Sequence, residues 1–573
     1  MTDIVLLSDC PFMESTKKFI VLKASAGSGK TFTLVFHYLS CALRFENPSY
    51  YKHILAITFT NAAANEMKQR VLNTLKEISE GQGQSDMEKK LLESLKVSAD
   101  VLKSRAQAAY SHMLHNYSKL SILTIDSFTH RLVRSFARDL QLNNDFNIEM
   151  KPENLQEKTV DRMLEFIGQD ALLTQYLHRY SKYLLEEGKA WNPREGLIEM
   201  AKVLFKEDGQ EPLKKLEAVD LPKIQEEYAH LHSRVRAFET EVKQLATEIL
   251  ELIEKAGITK EDIPNKNSGY ISGLTTFIRK DVGEPLGKNV IRALENHTWL
   301  RDKVEATLIA QLNPFRAELD TKADRLIELM SEESLRKLKL MRKIKDNLYT
   351  MGLIDRMNEY AHEIRIEENM VLLGDFHRMI NTIIQSNDAP FIFERIGARY
   401  KHILVDEFQD TSKMQWMNLI PLIQNCLAEG HENLIVGDAK QSIYRWRSAN
   451  VEQFTMLPKV PQSFNMPLAE KTFDENIFDD DLETNYRSSE SVIDFNNTIF
   501  PSLAKKLPGC SDVYSGDPQK KNSKDAGFVR LTGNHLLKKG DAGYDTFIQD
   551  ALISAIEDCK KSGYRYGDIT ILV

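Results

Sequence analysis

The chain lacks most features of a secreted, membrane-spanning or disulfide-rich protein. Its 573 residues include an odd number of cysteines and no C-x-x-C pair, so the sequence supports neither a disulfide framework nor a zinc or iron–sulfur site. The five cysteines are Cys10, Cys41, Cys426, Cys510 and Cys559. No apolar run reaches the roughly 18 residues that a bilayer requires, and the N-terminus lacks the basic region of a secretory signal. We therefore expect a soluble, cytoplasmic protein that does not associate with membranes.

Positive charge is not in excess either. The 75 Lys and Arg residues stand against 83 Asp and Glu residues, which gives a net charge of -8. The chain is therefore not a generally basic nucleic-acid-binding protein, and any nucleic-acid site must be a local groove. Its 28% charged and 42% hydrophobic residues are typical of globular proteins. At roughly 150 residues per domain, the length suggests about four domains.

Several short apolar runs predict a parallel β-sheet. They are separated by segments of helical periodicity, a pattern typical of strands covered on both faces. The runs lie at 19–22, 54–57, 122–123, 403–405 and 434–436. Between the third and fourth runs, a segment rich in Leu, Glu, Lys and Ala predicts a mostly helical insertion. The final residues, YGDITILV, predict a strand.

A glycine-rich loop follows the first apolar run. Residues 24–31 read ASAGSGKT, which fits G-x-x-x-x-G-K-[ST] with Ala24 at the first glycine. The N–H groups of such a loop and the positive end of the next helix bind phosphate oxygens. Lys30 would then bridge the β- and γ-phosphates, and the Thr31 hydroxyl would hold Mg²⁺. The alternative is an ordinary glycine-rich turn.

Two further segments follow apolar runs and carry chemistry. Asp406 ends one run and could bind Mg²⁺, while Glu407 beside it could accept a proton from an attacking water. The alternative is a set of N-terminal caps for a helix near Ser412. After the next run, Gln441 could sense a γ-phosphate, and the aromatic residues at 444 and 446 offer stacking faces. Taken alone, those two aromatic residues are more often a core pair covered by arginine stems.

Six motifs occur in a fixed order along the chain. They are ASAGSGKT at 24–31, AITFTNAAANEM at 56–67, LTIDSF at 123–128, LVDEFQD at 404–410, VGDAKQSIYRWR at 436–447 and LETNYRS at 482–488. In this order the chain resembles the UvrD/Rep-type superfamily 1 DNA helicases, and within them the RecB/AddA-like branch of helicase–nucleases. The resemblance implies an α/β fold: a RecA-like P-loop NTPase sheet, a large helical inserted domain and an incomplete second RecA-like domain.

The resemblance also implies boundaries for these domains. Residues 1–145 would form the first part of motor domain 1A, and 146–370 a helical insertion of the 1B type. Residues 371–455 would complete motor domain 1A. Residues 456–573 would form a linker and the start of a second motor domain.

A role follows from the resemblance for each matching residue. The implied catalytic residues are Lys30, Asp406, Glu407, Gln441 and Arg487. The implied nucleotide-binding residues are Ala24, Ser25, Ala26, Gly27, Ser28, Gly29, Lys30, Thr31, Tyr486 and Arg487, with Tyr486 stacking on adenine. Thr31 and Asp406 would hold Mg²⁺. The implied DNA contacts are Thr58, Phe59, Thr60, Asn61, Tyr444 and Trp446.

The chain departs from the family pattern in three places. Asp126 stands where many relatives have histidine, and no glutamine before Phe19 matches the one that reads adenine. The family's C-terminal arginine finger and a nuclease carboxylate set have no match either. The resemblance therefore implies an N-terminal fragment that binds ATP with little turnover.

The expected function is that of an ATP-dependent DNA helicase or translocase in recombination and double-strand-break repair. The expected cofactors are ATP and Mg²⁺. The expected partners are single-stranded DNA, duplex junctions and a second subunit of a helicase–nuclease complex. Two alternatives are a nucleotide kinase and a nucleotide-switched scaffold that binds DNA or a partner without motor activity.

One basic stretch in the insertion is a further candidate. It carries six cations within ten residues: Arg336, Lys337, Lys339, Arg342, Lys343 and Lys345. A helix with this pattern could meet duplex phosphates. The favoured alternative is a solvated face of an amphipathic helix.

Overall fold

The computed structural model divides the chain into two compact units. One comprises Met1–Ser135 with Met379–Val573, and the other Phe136–Arg378. The described residues are 17–81, 85–135, 137, 142, 146–149, 152–206, 221–302, 304–372, 374–376, 379, 399–507, 512–514, 518–522, 527–534, 536, 540–541 and 543–572. Cys10, Cys510 and the predicted boundary at 145 lie outside these residues.

A six-stranded parallel sheet organises the first unit. Its strand order is β3-β2-β6-β7-β1-β8, and every neighbouring pair runs parallel. The strands are β1 Phe19–Ala24, β2 Ile54–Thr58, β3 Ile122–Thr124, β6 His402–Val405, β7 Asn433–Gly437 and β8 Ile477–Leu482. All residues of β2, β3, β6 and β7 are buried. The predicted parallel sheet is therefore confirmed.

The last strand of this sheet escaped the sequence analysis. β8 pairs with β1 from Phe19↔Ile477 to Ala24↔Leu482. Its sequence IFDDDL is acidic and only half-buried, since β8 is an edge strand with one neighbour. Charged side chains on an edge strand discourage pairing with other chains. The same charges made this segment resemble a solvated linker in the sequence.

The helices of the described residues are the following, in chain order. They are α1 Lys30–Leu43, α2 Asn61–Glu80, α3 Asp86–Leu95, α4 Ala99–His115, α5 Ile125–Ser135, α6 Pro152–Glu165, α7 Ala171–Glu186, α8 Arg194–Leu204, α9 Leu221–Lys255, α10 Tyr270–Arg279, α11 Lys288–Glu295, α12 Ala306–Leu312, α13 Arg316–Leu329, α14 Glu332–Met351, α15 Ile354–Glu367, α16 Lys413–Ala428, α17 Glu452–Thr455, α18 Pro467–Asn476, α19 Glu490–Ala504 and α20 Tyr544–Lys561. None of the described helices is long and apolar enough to cross a membrane.

Helix α1 carries the core of the first unit. Its ten residues from Leu34 to Leu43 are all buried, and it packs in one apolar cluster with β1, β2 and helices α2 to α4. Each fully buried leucine of such a cluster contributes about 1.5–3 kcal/mol to folding. This packing holds the start of α1 at the end of β1.

The second unit is built almost entirely from helices among its described residues, α6 to α15. Two short parallel strands, β4 Asn147–Glu149 and β5 Met370–Leu372, pair near its ends. Its larger core surrounds α9, where the Tyr270 hydroxyl donates to the backbone oxygen of buried Trp299 at 2.9 Å. Aromatic rings dominate a smaller core, in which Tyr180 and Tyr183 both stack on Tyr349.

The strand predicted for YGDITILV is wrong. Residues 566–568 form a 3-10 turn, and residues 569–572 pair with no described strand. Leu572 is 91% exposed, so its apolar side chain does not pack against the described residues. Two further short strands, β9 Thr484–Asn485 and β10 Lys520–Lys521, pair with each other.

Candidate functional site

The loop after β1 is shaped to receive an anion. Gly27 and Gly29 have φ angles of 77° and 87°, in the left-handed region that glycine adopts without strain. Gly29 precedes α1 and offers no capping side chain, and the first turn of α1 contains no acid. The Ser28 hydroxyl donates to the Ser25 carbonyl oxygen at 2.8 Å and closes the turn. A helix N-terminus of this kind attracts negative charge, which suits a phosphate.

Lys30, the first residue of α1, is held by two partners from distant parts of the sequence. Its Nζ lies 3.1 and 3.0 Å from the two carboxylate oxygens of Glu407. It also donates to Gln441 Oε1 at 3.4 Å. The structure therefore brings together three of the predicted catalytic residues.

Asp406 and Glu407 follow β6, directly beside β2. The Asp406 N–H donates to the Ile57 carbonyl oxygen at 2.8 Å, and Asp406 Oδ1 accepts the Glu407 N–H at 2.9 Å. Glu407 has a φ of 48°, a left-handed conformation that is rare outside glycine and costs about 1–3 kcal/mol. Such strain persists only where the surrounding structure imposes it.

The carboxylates here are short of cations. Burial and the charge of Glu407 raise the pKa of Asp406 to about 7, although Lys30 acts in the opposite direction. Burial and Glu407 also raise the pKa of Asp410 to about 6. Carboxylate and hydroxyl oxygens are the ligands Mg²⁺ prefers. Asp406, with Thr31 in the first turn of α1, therefore fits the predicted magnesium ion.

The capping alternative for the acidic segment is wrong. Helix α16 is capped by Ser412, whose side chain accepts the Gln415 N–H while the Gln415 side chain accepts the Ser412 N–H. The acids at 406–410 are therefore not needed to start this helix. Gln415 Nε2 also donates to Asp126 Oδ1 at 3.3 Å, so Asp126 supports the same helix start.

A polar ring, which the sequence analysis missed in part, connects three segments of the site. Gln409 Nε2 donates to Glu407 Oε2 at 2.6 Å, and Gln409 Oε1 accepts the Asp438 N–H at 2.9 Å. Gln441 Nε2 donates to Asp438 Oδ2 at 2.7 Å, and its Oε1 returns to Lys30. The polar ring thus consists of Lys30, Glu407, Gln409, Asp438 and Gln441. Gln409 and Asp438 carry no mark in the sequence that separates them from spacer residues.

The segment after β8 docks on the glycine loop. The Tyr486 N–H donates to the Gly27 carbonyl oxygen at 2.8 Å, and Asn485 Nδ2 donates to the Ala26 carbonyl oxygen at 3.1 Å. A Cβ on Gly27 would lie 2.5 Å from Asn485 Oδ1, so only glycine permits this approach. Tyr486 and Arg487 are thereby brought to the loop, with 38% of Tyr486 exposed.

Two more residues at the loop were missed. Gln519 Nε2 donates to the Ala26 carbonyl oxygen at 3.0 Å, and Lys440 Nζ donates to Ser25 Oγ at 3.3 Å. Lys440 adds a second cation beside the loop. A cleft of about 310 Å³ opens there, with Ser25, Lys440 and Gln519 among its lining residues.

A second cluster gathers aromatic rings from two strand ends. Phe59 follows β2 and Tyr444 follows β7, and their ring centroids lie 4.6 Å apart. Trp446 lies 6.1 Å from Tyr444, with the Arg447 guanidinium 4.7 Å from its ring. Trp446 is 73% exposed, which excludes the core-pair alternative for it. We call Phe59, Tyr444 and Trp446 the aromatic platform.

The polar residues next to Phe59 have structural partners. Thr58 is buried and its hydroxyl donates to the Thr60 carbonyl oxygen at 3.2 Å. Thr60 Oγ1 accepts the Ala63 N–H and caps α2, whose first residue is the exposed Asn61. Of the three predicted backbone contacts, Thr60 and Asn61 are therefore exposed beside the aromatic platform, whereas the Thr58 side chain is not.

The basic stretch of the second unit is mostly neutralised within α14 and its neighbours. Arg336 and Lys337 pair with acids four residues earlier. Arg342 pairs with Glu239 and Asp281, and the buried Lys345 pairs with Glu187. These pairs favour the solvated-helix alternative.

Comparison with known proteins agrees with the class of site described above, a phosphate-binding loop with carboxylates on neighbouring strands. The family model of the UvrD/REP helicase N-terminal domain matches residues 11–461. The chain therefore belongs to the UvrD/REP helicase family, and the resemblance seen in the motifs is confirmed.

The relatives include several large subunits that are named ATP-dependent helicase/nuclease. The chain is 24% identical over 535 residues to such a subunit from Bacillus mycoides (strain KBAB4), covering 88% of this chain and 39% of the relative. It is 25% identical over 535 residues to the protein of the same name from Lactococcus lactis subsp. cremoris (strain SK11), covering 87% and 40%. The chain thus spans about two fifths of the length of these relatives.

Proposed function

We propose that the chain is part of an ATP-dependent DNA helicase or translocase of the UvrD/RecB type, acting on single-stranded DNA in recombination and double-strand-break repair. The observation that carries this proposal is the meeting of Lys30, Glu407 and Gln441 at the glycine loop, beside an exposed aromatic platform. The family match and the relatives named as helicase/nuclease subunits support it.

The domain assignment belongs to the same proposal. The parallel sheet would be a RecA-like motor domain formed by 1–145 and 371–455, and residues 146–370 a helical insertion. Residues 456–573 would lead into a second RecA-like motor domain. A second subunit of a helicase–nuclease complex is the proposed protein partner, in line with the names of the relatives.

In the proposed mechanism, the nucleotide takes Lys30 from Glu407. The triphosphate binds at the loop amides and the α1 N-terminus, and Lys30 turns from the Glu407 carboxylate to the β- and γ-phosphates. Glu407 is then free to orient a water molecule and accept its proton as the water attacks the γ-phosphorus, while ADP leaves. Gln441 and Arg487 contact the γ-phosphate from two further sides. Tyr486 stacks on the adenine.

Thr31 and Asp406 would hold Mg²⁺, which neutralises phosphate charge when it is bound with ATP. A Mg²⁺ ion would also satisfy the carboxylate whose pKa burial has raised. The prediction of slow hydrolysis by this chain stays a prediction, because an arginine finger contributes about 10³–10⁵ in rate in related phosphoryl transfer.

The aromatic platform would hold the DNA. Stacking of bases on aromatic rings does not depend on base identity, which suits a motor that steps along any sequence. Phe59, Tyr444 and Trp446 would stack on successive bases, with Thr58, Thr60 and Asn61 along the backbone of the strand. For Thr58 only its backbone is offered, since its side chain is buried.

Fluorescence anisotropy of a labelled single-stranded oligonucleotide tests this proposal. We expect binding to this chain that changes when Mg²⁺ and a non-hydrolysable ATP analogue are added, and that duplex DNA competes for poorly. Absence of binding at low salt, or binding that ignores the nucleotide, would contradict it. DNA-stimulated hydrolysis at the rates of intact helicases would contradict the slow-turnover prediction alone.

The second candidate is a nucleotide-switched scaffold that binds DNA or a partner without motor activity. The strained Glu407 held against Lys30 argues for a catalytic site, because strain of this kind costs stability and serves no packing purpose. Hydrolysis that reappears in a longer chain would support the motor.

A further inference from the structure

The polar ring contains one residue that touches both the proposed general base and the segment bearing the aromatic platform. Gln409 is 1% exposed and reaches Glu407 with its amide nitrogen and the Asp438 backbone with its amide oxygen. Asp438 begins the segment that continues through Gln441 to Tyr444 and Trp446. One side chain therefore spans from the nucleotide end to the nucleic-acid end of the unit.

The chemistry of the position requires glutamine. The Glu407 carboxylate only accepts hydrogen bonds, whereas the Asp438 N–H only donates. A bridge between them must donate at one end and accept at the other. Glutamine does both, whereas glutamate offers two acceptors and methionine has no strong hydrogen-bonding group.

The packing around Gln409 leaves it no slack. A Cβ on Gly437 would lie 2.8 Å from Gln409 Oε1 and 3.1 Å from the Phe454 ring. The Ser442 hydroxyl approaches the Gln409 backbone oxygen at 3.5 Å, a second link to the same segment. A displacement of the Glu407 carboxylate is therefore transmitted to the 438–444 segment.

We propose that Gln409 is a positioning residue that couples the nucleotide site to the aromatic platform. This inference rests on the proposed function. When the phosphates take Lys30, the Glu407 carboxylate loses the cation held at 3.0 Å and keeps the Gln409 amide as its anchor. Gln409 then shifts with Glu407 and carries the Asp438 N–H, and with it the platform segment, to a new position.

The test measures coupling rather than turnover. The dissociation constant for a labelled single-stranded oligonucleotide is determined without nucleotide and with saturating Mg²⁺ and a non-hydrolysable ATP analogue, and the ratio of the two constants is the coupling factor. We expect a wild-type factor that departs from one by about fivefold or more. By linkage, the oligonucleotide must change the affinity for the analogue by the same factor.

Two variants probe the bridge, and one serves as a control. Gln409→Glu keeps the shape and removes the donor, while Gln409→Met keeps the length and removes both ends. Both should bind the analogue and the oligonucleotide separately, with a coupling factor within about twofold of one. The matched control is Gln453→Met, since Gln453 is equally buried, donates to Thr411 and has no described contact with Glu407 or Asp438. It should keep the wild-type factor.

The outcomes separate this inference from the proposed function. A wild-type factor of one, or no binding, overturns both. A wild-type factor that survives in both Gln409 variants overturns the coupling role alone. If both variants melt far below Gln453→Met, Gln409 is a structural residue and the inference also fails.

Discussion

The two edges of the parallel sheet treat buried charge in opposite ways. At the amino edge, before the strands begin, Glu432 accepts from Arg44 at 2.7 Å and from Lys18 at 2.9 Å. Burial alone would raise the pKa of Glu432, but the hydrogen bond and charge of Arg44, with His37 and Lys18, bring it to about 2. The carboxylate at this edge therefore has its cations inside the chain.

At the carboxyl edge, where the strands end, carboxylates outnumber cations. Asp406, Glu407 and Asp410 gather around Lys30, and the pKa of Asp406 rises to about 7. The same kind of group in the same sheet thus has its pKa moved in opposite directions. A fold that supplies cations to a carboxylate at one edge can do so at the other. The deficit at the carboxyl edge therefore indicates where a ligand supplies the missing cation.

The largest effect is expected from breaking the amino edge. Glu432→Gln leaves Arg44 and Lys18 without their shared carboxylate, and loss of one partner of a buried pair costs about 3–5 kcal/mol. We expect this loss in the free energy of unfolding of the first unit, followed through the thermal transition that an ATP analogue raises. The control is Glu429→Gln, whose pairing with His431 is exposed and worth less than about 1 kcal/mol. Equal losses in the two variants would contradict the comparison.

Acid should weaken the amino edge first. Burial lowers the pKa of His37 to about 4 and that of His402 to about 3, both from an ordinary value of 6.5. Between about pH 6.5 and 4 the unfolded chain binds more protons than the folded one, so the free energy of unfolding falls as pH falls. Each histidine contributes a slope of up to about 1.4 kcal/mol per pH unit.

His37→Gln removes one of these histidines and should reduce the acid slope by about 1.4 kcal/mol per pH unit at most. Glu432 acts in a separate window, since a lowered carboxylate pKa costs stability only below about pH 4.5. Denaturant titrations at several pH values measure both windows. A slope that His37→Gln leaves unchanged would show that His37 is not the titrating group.

Removing Lys30 from the carboxyl edge should cost ligand affinity rather than fold. Lys30→Met is expected to weaken binding of a fluorescent ATP analogue by about 10- to 100-fold, since a hydrogen bond to a charged group is worth about 1.5–3 kcal/mol. Its counterpart at the amino edge, Lys18→Met, should leave that affinity unchanged. An equal loss in both variants would mean that the analogue senses global stability and not Lys30.

The smallest effect is expected on the aromatic platform. Trp446→Ala should weaken single-stranded DNA binding by about 1–3 kcal/mol, the range of one stacked base. It should change stability by less than about 0.5 kcal/mol, because Trp446 is 73% exposed. Phe45→Ala, an exposed aromatic after α1, is the control and should leave DNA affinity unchanged. A loss that is equal in the two variants would remove the platform from the DNA site.

The sequence allowed the carboxyl edge to be predicted far better than the amino edge. The glycine loop and the acids after β6 stand directly behind apolar runs, so local pattern was enough to find them. Glu432 is 388 residues from Arg44 and 414 from Lys18, and no local pattern links them. Gln409 was missed because its role depends on both ends of the side chain. The final strand was predicted wrongly because apolar alternation does not supply the neighbouring strand that pairing requires.

The left-handed backbone at Glu407 has a consequence for which substitutions the position can accept. Valine, isoleucine and threonine are excluded on conformational grounds, since branching at Cβ makes a φ of 48° prohibitive. Glycine and asparagine adopt this conformation readily, yet neither has the length to reach Lys30 as a carboxylate. Mutational drift at this position therefore meets a conformational filter and a chemical filter that admit different residues, and very few side chains pass both.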